Sequence, residues 1–268
     1  MEQIKQDIIE AGKFVSMMGS PRYLDETTNY VLSTAGTKNN ERVFLLSGDA
    51  FVMSFEKLKQ IALWIHEYIP SVKVISAFTS IKDIKRKSLE ELKELADLGL
   101  NTLYVGTETG SPNILKQVKK GHTVEEAIEQ LHKLEAASIR YSVQYITGLA
   151  GAGKGIENAL ESAKFFNQIH PYMIGSSSLT IFPDTELGNA YAKGEFKEAS
   201  ELERVEETRV LIDKLTINTF FSSAHVSTMI PIVGLLPEKK KELLSELDNS
   251  ITALKSMKTL PKYNRTIV

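Results

Sequence analysis

Small polar and acidic residues recur in groups along the middle of this 268-residue chain. Ser47, Gly48 and Asp49 form one group. Ser76, Thr79 and Ser80 form the next, followed by Glu108, Thr109 and Gly110, then Gln144, Thr147 and Gly148, then Ser176 to Ser178 with Thr180. Taken singly, each group has a plain explanation: serine and threonine cap the next helix, glycine permits a turn, and a carboxylate complements a helix dipole. Five such groups in succession shift the balance towards one polar cleft, where carboxylates, amides and hydroxyls would hold a small ligand.

One group continues into a glycine-rich run, GLAGAGKG at 148–155. It approaches the phosphate-binding pattern G-x-x-x-x-G-K-[ST] with Lys154 in place, but Gly155 stands where a hydroxyl should hold magnesium. A glycine-rich turn between strand and helix is the stronger reading, with a weak backbone site for an anion or a sulfonium ligand between the two. The histidines show no metal-ligand spacing. His66 and His132 fall in helical stretches, His170 precedes Pro171, and His122 lies in KKGHT. His225, in FFSSAHVSTMIP, differs: it follows a strand-like run among small residues and could face a ligand. Trp64 sits at helical spacing and reads as core. No strand carries a lysine placed for Schiff-base chemistry, since Lys73 stands at the wrong end of its strand.

The elements that would position these residues alternate. Apolar, β-branched runs predict strands at 42–47, 72–78, 102–106, 140–147 and 173–180. Their starts are about 30, 30, 38 and 33 residues apart, close to the unit of a β/α barrel. The strands are near-continuously apolar, which suits a parallel sheet covered by helices. Ser88 with Glu91, Thr123 with Glu126 and Ser200 with Glu203 have capping-box spacing. Helix 88–98 carries a leucine stripe and stops at Gly99, and Ser111–Pro112 opens another helix. Beyond residue 183 the rhythm fades into a short helix, a charged helix near 200–214, strand-like LTINTFF at 215–221 and an amphipathic helix at 237–256. The fold class is therefore α/β, with parallel strands.

Composition removes several chemistries. With 32 basic and 34 acidic residues, the net charge of -2 gives no electrostatic reason to expect nucleic acid or an anionic membrane. The longest apolar stretch, Met229 to Leu236, is broken by Pro231 and Gly234 and is too short for a membrane span. The charged N-terminus has no signal-peptide core, so a cytoplasmic location is expected. There is no cysteine. That excludes disulfides, thiolate zinc sites, a cysteine nucleophile and cysteine ligation of an iron–sulfur cluster by these residues.

The runs VFLLSGDAFVMSFEKL, VISAFTSIKDIKRKSLEELKELADLGLNTLYVGTETGSPNILKQVKKGHT, YSVQYITGLAGAG and IGSSSLTIFPDTEL together resemble the radical SAM superfamily, in particular the branch sharing the Elp3/MiaB/NifB core. FFSSAHVSTMIPIVGLLPEKKKELLSELD resembles the C-terminal part of bacterial members of that branch. The resemblance covers most of the chain, and implies a partial, TIM-like (β/α) barrel over 1–222 with a C-terminal extension, 223–268, packing on it. It also implies S-adenosylmethionine as a small-molecule ligand, and a four-iron four-sulfur cluster held by a CxxxCxxC loop. In the family, that cluster supplies the electron that cleaves S-adenosylmethionine to a 5′-deoxyadenosyl radical.

Carried over by position, Ser47, Gly48 and Asp49 would meet the methionine amino group. Ser76 would join the same cofactor site. Glu108 would lie near the ribose or methionine end, and Gln144 with Gly148 to Gly151 near adenine. His225 would face the substrate. The cluster loop and its strand would precede Met1, so the resemblance implies a chain that lacks both. Two accounts follow. One is a shortened radical SAM enzyme, and the other a cluster-less S-adenosylmethionine-binding or structural remnant without catalysis. The missing strand would leave an open sheet edge for a partner or second copy to cover. No substrate is legible.

Overall fold

The computed structural model describes residues 1–18, 41–46, 48–263 and 265. Ser47, expected at the cofactor, lies outside them. The chain forms two units, one of residues 1–104 with 133–140, the other of residues 105–132 with 141–268.

In the first unit, helix α1 (Glu2–Met18) follows from the spacing of Ile4, Ile8, Gly12 and Val15 on one side. That side meets α2 (Phe55–Tyr68), which buries Leu58, Ile61, Ala62 and Ile65. Gly12 allows the crossing, because a Cβ there would lie 2.5 Å from the Tyr68 carbonyl oxygen. Trp64 is half-buried rather than core, with the Lys5 ammonium 5.5 Å from its ring centre. Strand β1 (Arg42–Leu45) pairs in parallel with β2 (Val74–Thr79), Phe44 opposite Ser76. β3 (Leu100–Glu108) continues the order through its first five residues. Two short helices, α3 (Ile81–Lys85) and α4 (Leu89–Asp97), fill the crossover. The Ser88–Glu91 capping box opens α4, and Gly99, at φ +83°, ends it as its position required. His66 bonds the Leu98 carbonyl across 2.8 Å, a structural role. β1 ends the strand order, and among the described residues no strand pairs with its outer side.

In the second unit the end of β3 is followed by α5 (Pro112–Gln117) and α6 (Val124–Ala136, of which 124–132 belong here), then β4 (Arg140–Thr147) and α7 (Gly155–Phe166). Next come β5 (Met173–Ser178), α8 (Glu186–Ala192), α9 (Glu201–Lys214), β6 (Thr219–Ser222), β7 (Val233–Leu236) and α10 (Lys240–Ser256). β4, β5 and β6 are parallel, with Gln144 opposite Gly175. β7 returns antiparallel to β6 and alternates exposed and buried residues, as a half-covered strand must. Residues 223–268 all belong to this unit, and α10 lies along α9. The expectation of parallel βα units is met. The strand-like run at 215–221 begins later than expected because Leu215 closes α9 and the Thr216 amide bonds Asn167 Oδ1 at 2.8 Å.

Candidate functional site

On β3 from Leu103 and on β4 from Val143 the residues of one parity are buried, among them Leu103, Val105, Thr107, Val143 and Tyr145, while the other parity is part-exposed. That open parity places Gly106 and Glu108 on β3 and Gln144 on β4. Glu108, at φ +65°, folds back over Gly106: a Cβ on Gly106 would lie 2.8 Å from Glu108 Oε1. The carboxylate accepts from Lys120 Nζ at 3.0 Å, and both side chains are about one-fifth to one-quarter exposed, 20% and 24%. Gln144 lies against Gly175, where a Cβ would stand 2.8 Å from either amide atom. Two glycines thus make room for two polar side chains on one sheet face. Together they offer a carboxylate–ammonium pair and an amide, a set that suits hydroxyls, an ammonium and a heterocycle edge.

The glycine-rich run is a turn whose amides are already engaged. Gly148 N donates to Glu207 Oε2 at 2.8 Å and Gly153 N to Glu203 Oε1 at 2.6 Å. Ala152 N donates to the Lys197 carbonyl at 2.8 Å, while Gly151 N and Lys154 N close on carbonyls within the turn. Gly155 is glycine because a Cβ would meet Glu207 Oε2 at 2.9 Å. The anions of this loop are therefore carboxylates of α9, which would repel a phosphate, and the plain-turn reading holds. Gly148 and Gly151, at φ +77° and +81°, are both buried. Leu149 and Ala150 between them pack with Ile114, Leu179 and Phe196.

Below the turn lies a buried polar network. Glu207 Oε1 accepts from Tyr145 Oη at 2.6 Å and from Asn158 Nδ2 at 2.8 Å. Asn158 Oδ1 in turn accepts from Thr109 Oγ1 at 2.5 Å, and that hydroxyl oxygen accepts from Ser111 N at 2.9 Å. Gly110 N donates to Ser162 Oγ at 2.8 Å. Arg204, buried, donates to the Thr147 carbonyl at 2.8 Å and to Glu198 at 2.9 Å. Burial pushes Glu207 above the usual carboxylate range, against the pull of its three donors. Burial and the neighbouring Glu207 push Tyr145 well up, which keeps its phenol a donor. Sequence reading placed Glu203 only in a capping box and missed Arg204 and Glu207. The available signal was the helix stripe Glu201, Arg204, Glu207, Thr208 and Leu211, where charged residues occupy a face that burial makes inward.

Asp49 and Ser76 belong to the first unit. Ser76 is buried. Asp49 precedes a short 3-10 turn, Ala50–Val52, and its Oδ1 is buried without a hydrogen-bond partner among the described residues. Burial, then the hydrogen bond and charge of Asp83, raise its carboxyl to about 6. Burial works against Asp83 too, but Ser80, Asp49, Arg86 and Lys87 hold it below the ordinary value. Lys87, buried, donates to the Phe51 carbonyl at 2.7 Å and lies 4.2 Å from that ring's centre. Gly48 is exposed and nothing crowds it within 4 Å. Lys73 pairs with Glu41 at the surface. In the second unit, His225 is exposed, and its Nδ1 lies 2.7 Å from Ser227 Oγ and accepts from Ser227 N at 3.2 Å. Ser178 N donates to that same Ser227 Oγ at 3.0 Å.

Parallel βα units with polar side chains on an open sheet face define an α/β protein. The model of the Radical SAM superfamily matches residues 19–163, more than half of the chain. The chain belongs to the radical SAM superfamily. It is 25% identical over 161 residues to a tRNA uridine(34) acetyltransferase of Methanocaldococcus infernus, covering 60% of this chain and 30% of that one. The chain thus spans under a third of that curated relative. Its fold is similar to a solved Methanocaldococcus infernus Elp3 with its first 46 residues deleted, at TM-score 0.58 and 17% identity over 84% of this chain and 57% of that chain. Methylornithine synthase is similar at TM-score 0.51 and 13% identity, over 91% of this chain and 67% of its own.

The family uses S-adenosylmethionine and a four-iron four-sulfur cluster. With no cysteine among 268 residues, the donor set here does not fit that cluster. The polar face with its glycine-made spaces does fit a polar nucleoside ligand. Among the described residues, no helix is long and apolar enough to cross a membrane.

Proposed function

We propose that the second unit binds S-adenosylmethionine on the open face of β3 to β5, with Glu108, Lys120 and Gln144 as its polar contacts. The observation that carries this is the pair of glycines, Gly106 and Gly175, which clear space beneath Glu108 and Gln144 on a sheet of this family. Glu108 accepts from a ribose hydroxyl or the methionine ammonium, and Gln144 offers donor and acceptor to the adenine edge. No cleavage step is assigned to these residues, since reduction of the sulfonium needs an electron source this chain's side chains do not supply. His225, exposed beside Ser227, would face the substrate. The tRNA, porphyrin or small-molecule identity of that substrate is set outside these contacts.

Titration calorimetry with S-adenosylmethionine tests the reading. The parent binds, and Glu108→Ala and Gln144→Ala each weaken affinity about tenfold, the worth of one good hydrogen bond, with the melting temperature little changed. Asp49→Ala, measured alongside, asks separately whether the first unit's loop takes part. Equal affinity in all variants removes the site. No binding at millimolar ligand leaves the structural remnant as the account.

A further inference from the structure

Two loops flank the proposed ligand face: 108–111 after β3 and 148–151 after β4. Nothing in the sequence ties them together, yet one carboxylate touches both lines of support. Glu207 Oε2 takes the Gly148 amide directly, at 2.8 Å. Glu207 Oε1 takes Asn158 Nδ2 at 2.8 Å, which turns Asn158 Oδ1 towards Thr109 Oγ1 at 2.5 Å, and Thr109 then receives the Ser111 amide at 2.9 Å. We infer that Glu207 is the positioning residue that locks these two loops in register with each other, so that Glu108, at the head of the first, is held rigidly at the ligand face.

The chemistry requires a carboxylate at this place. Gly148 N and Asn158 Nδ2 can only donate, and the Tyr145 phenol donates as well, to Oε1 at 2.6 Å. A carboxylate accepts all three. An amide of the same size cannot: in either orientation, its NH2 faces Gly148 N or Asn158 Nδ2, donor against donor. Asn158 is the lever arm of the device. Its own flip is dictated by Glu207, since a reversed amide would set its oxygen against the carboxylate and its NH2 against nothing that needs a proton but Thr109. Thr109 and Asn158 are each 1% exposed and Glu207 0%, so water does not replace a lost partner readily.

The inference rests on the proposed S-adenosylmethionine site for its functional consequence, but not for its structural one. The experiment therefore reads both on the full chain. Amide hydrogen exchange is followed at Gly148, Gly110 and Ser111 in the parent, in Glu207→Gln and in Thr109→Val, with S-adenosylmethionine affinity measured in parallel. Glu207→Gln is expected to speed exchange in both loops at least tenfold, beyond any change elsewhere in β4 and α7, and to weaken the ligand about tenfold. Thr109→Val, which cuts only the far link, frees Ser111 and leaves Gly148 protected. Protection kept in both loops of Glu207→Gln overturns the inference, as does loosening at Gly148 alone or a uniform rise across the unit. A parent that binds no S-adenosylmethionine sinks the ligand reading while the exchange pattern still decides the positioning role. Should Glu207→Gln fail to fold, Asn158→Ala cuts the same relay one bond later. It is expected to free Ser111 while sparing Gly148, and loss at neither overturns the lock.

Discussion

Arg265 Nη2 sits 2.7 and 2.6 Å from the two carboxylate oxygens of Glu201, with each side chain 7% exposed. Its Nε also donates to the Ser227 carbonyl at 2.8 Å, and Tyr263 Oη reaches the Val226 carbonyl at 3.0 Å. The tail is thereby fastened to the start of α9 and to the loop that carries His225. Removing one partner leaves a charge buried and unpaired. Arg265→Ala should cost about 3 kcal/mol in urea denaturation, and the double variant Arg265→Ala/Glu201→Ala less than the sum of its parts. A single variant within about 0.5 kcal/mol of the parent would show that the tail is not fastened in solution.

The glycine turn offers a paired comparison. Gly148 and Gly153 share a left-handed backbone, φ +77° and +78°. A Cβ on Gly148 would stand 2.3 Å from Arg204 Nη1, whereas nothing lies within 4 Å of one on Gly153. Gly153→Ala should therefore lose only the backbone term, about 1 kcal/mol, and Gly148→Ala about 3 kcal/mol, because Arg204 must also leave Thr147. Equal losses would mean that the guanidinium yields freely.

How much of this could be read beforehand follows from the same residues. The strand positions and the Ser88 and Ser200 capping boxes were legible, because apolar runs and cap spacing act locally. The Thr123–Glu126 pair also forms both of its bonds, at 3.0 and 3.2 Å. β7 was not legible: VGLL is four residues long, and its alternation appears only once β6 lies beside it. Glu108 and Gln144 were singled out by type and place, and both lie on the open parity of their strands. Glu207 was not, since a charged residue in EETR reads as solvent-facing until Tyr145 and Asn158, from a distant strand and helix, are packed over it.

Asp49 makes stability depend on pH. Its folded pKa of about 6 exceeds the unfolded value of 3.8, so the native state binds the proton more readily between those limits. The contribution is fully present below the unfolded value and is lost as pH rises through about 6. Asp49→Asn removes the ionisable group, so the variant should gain on the parent by about 1 kcal/mol at pH 7, a figure discounted for solvent access, and match it near pH 4. Denaturation at the two pH values checks this. A gain that is the same at both would assign the effect to packing. Because Asp83 titrates with Asp49, the parent's curve belongs to the pair.

The glycine turn and α9 are 50 and 59 residues apart along the chain at their two carboxylate contacts. Each is meaningless to the fold without the other. A chimera that imported the turn from a relative, but kept a foreign helix, would bury the Gly148 amide with no acceptor. The reverse graft would leave the buried Glu207 without one of its three donors. The smallest exchangeable piece here is thus the pair, and anyone dividing this chain for recombination should place no crossover between residues 148 and 207.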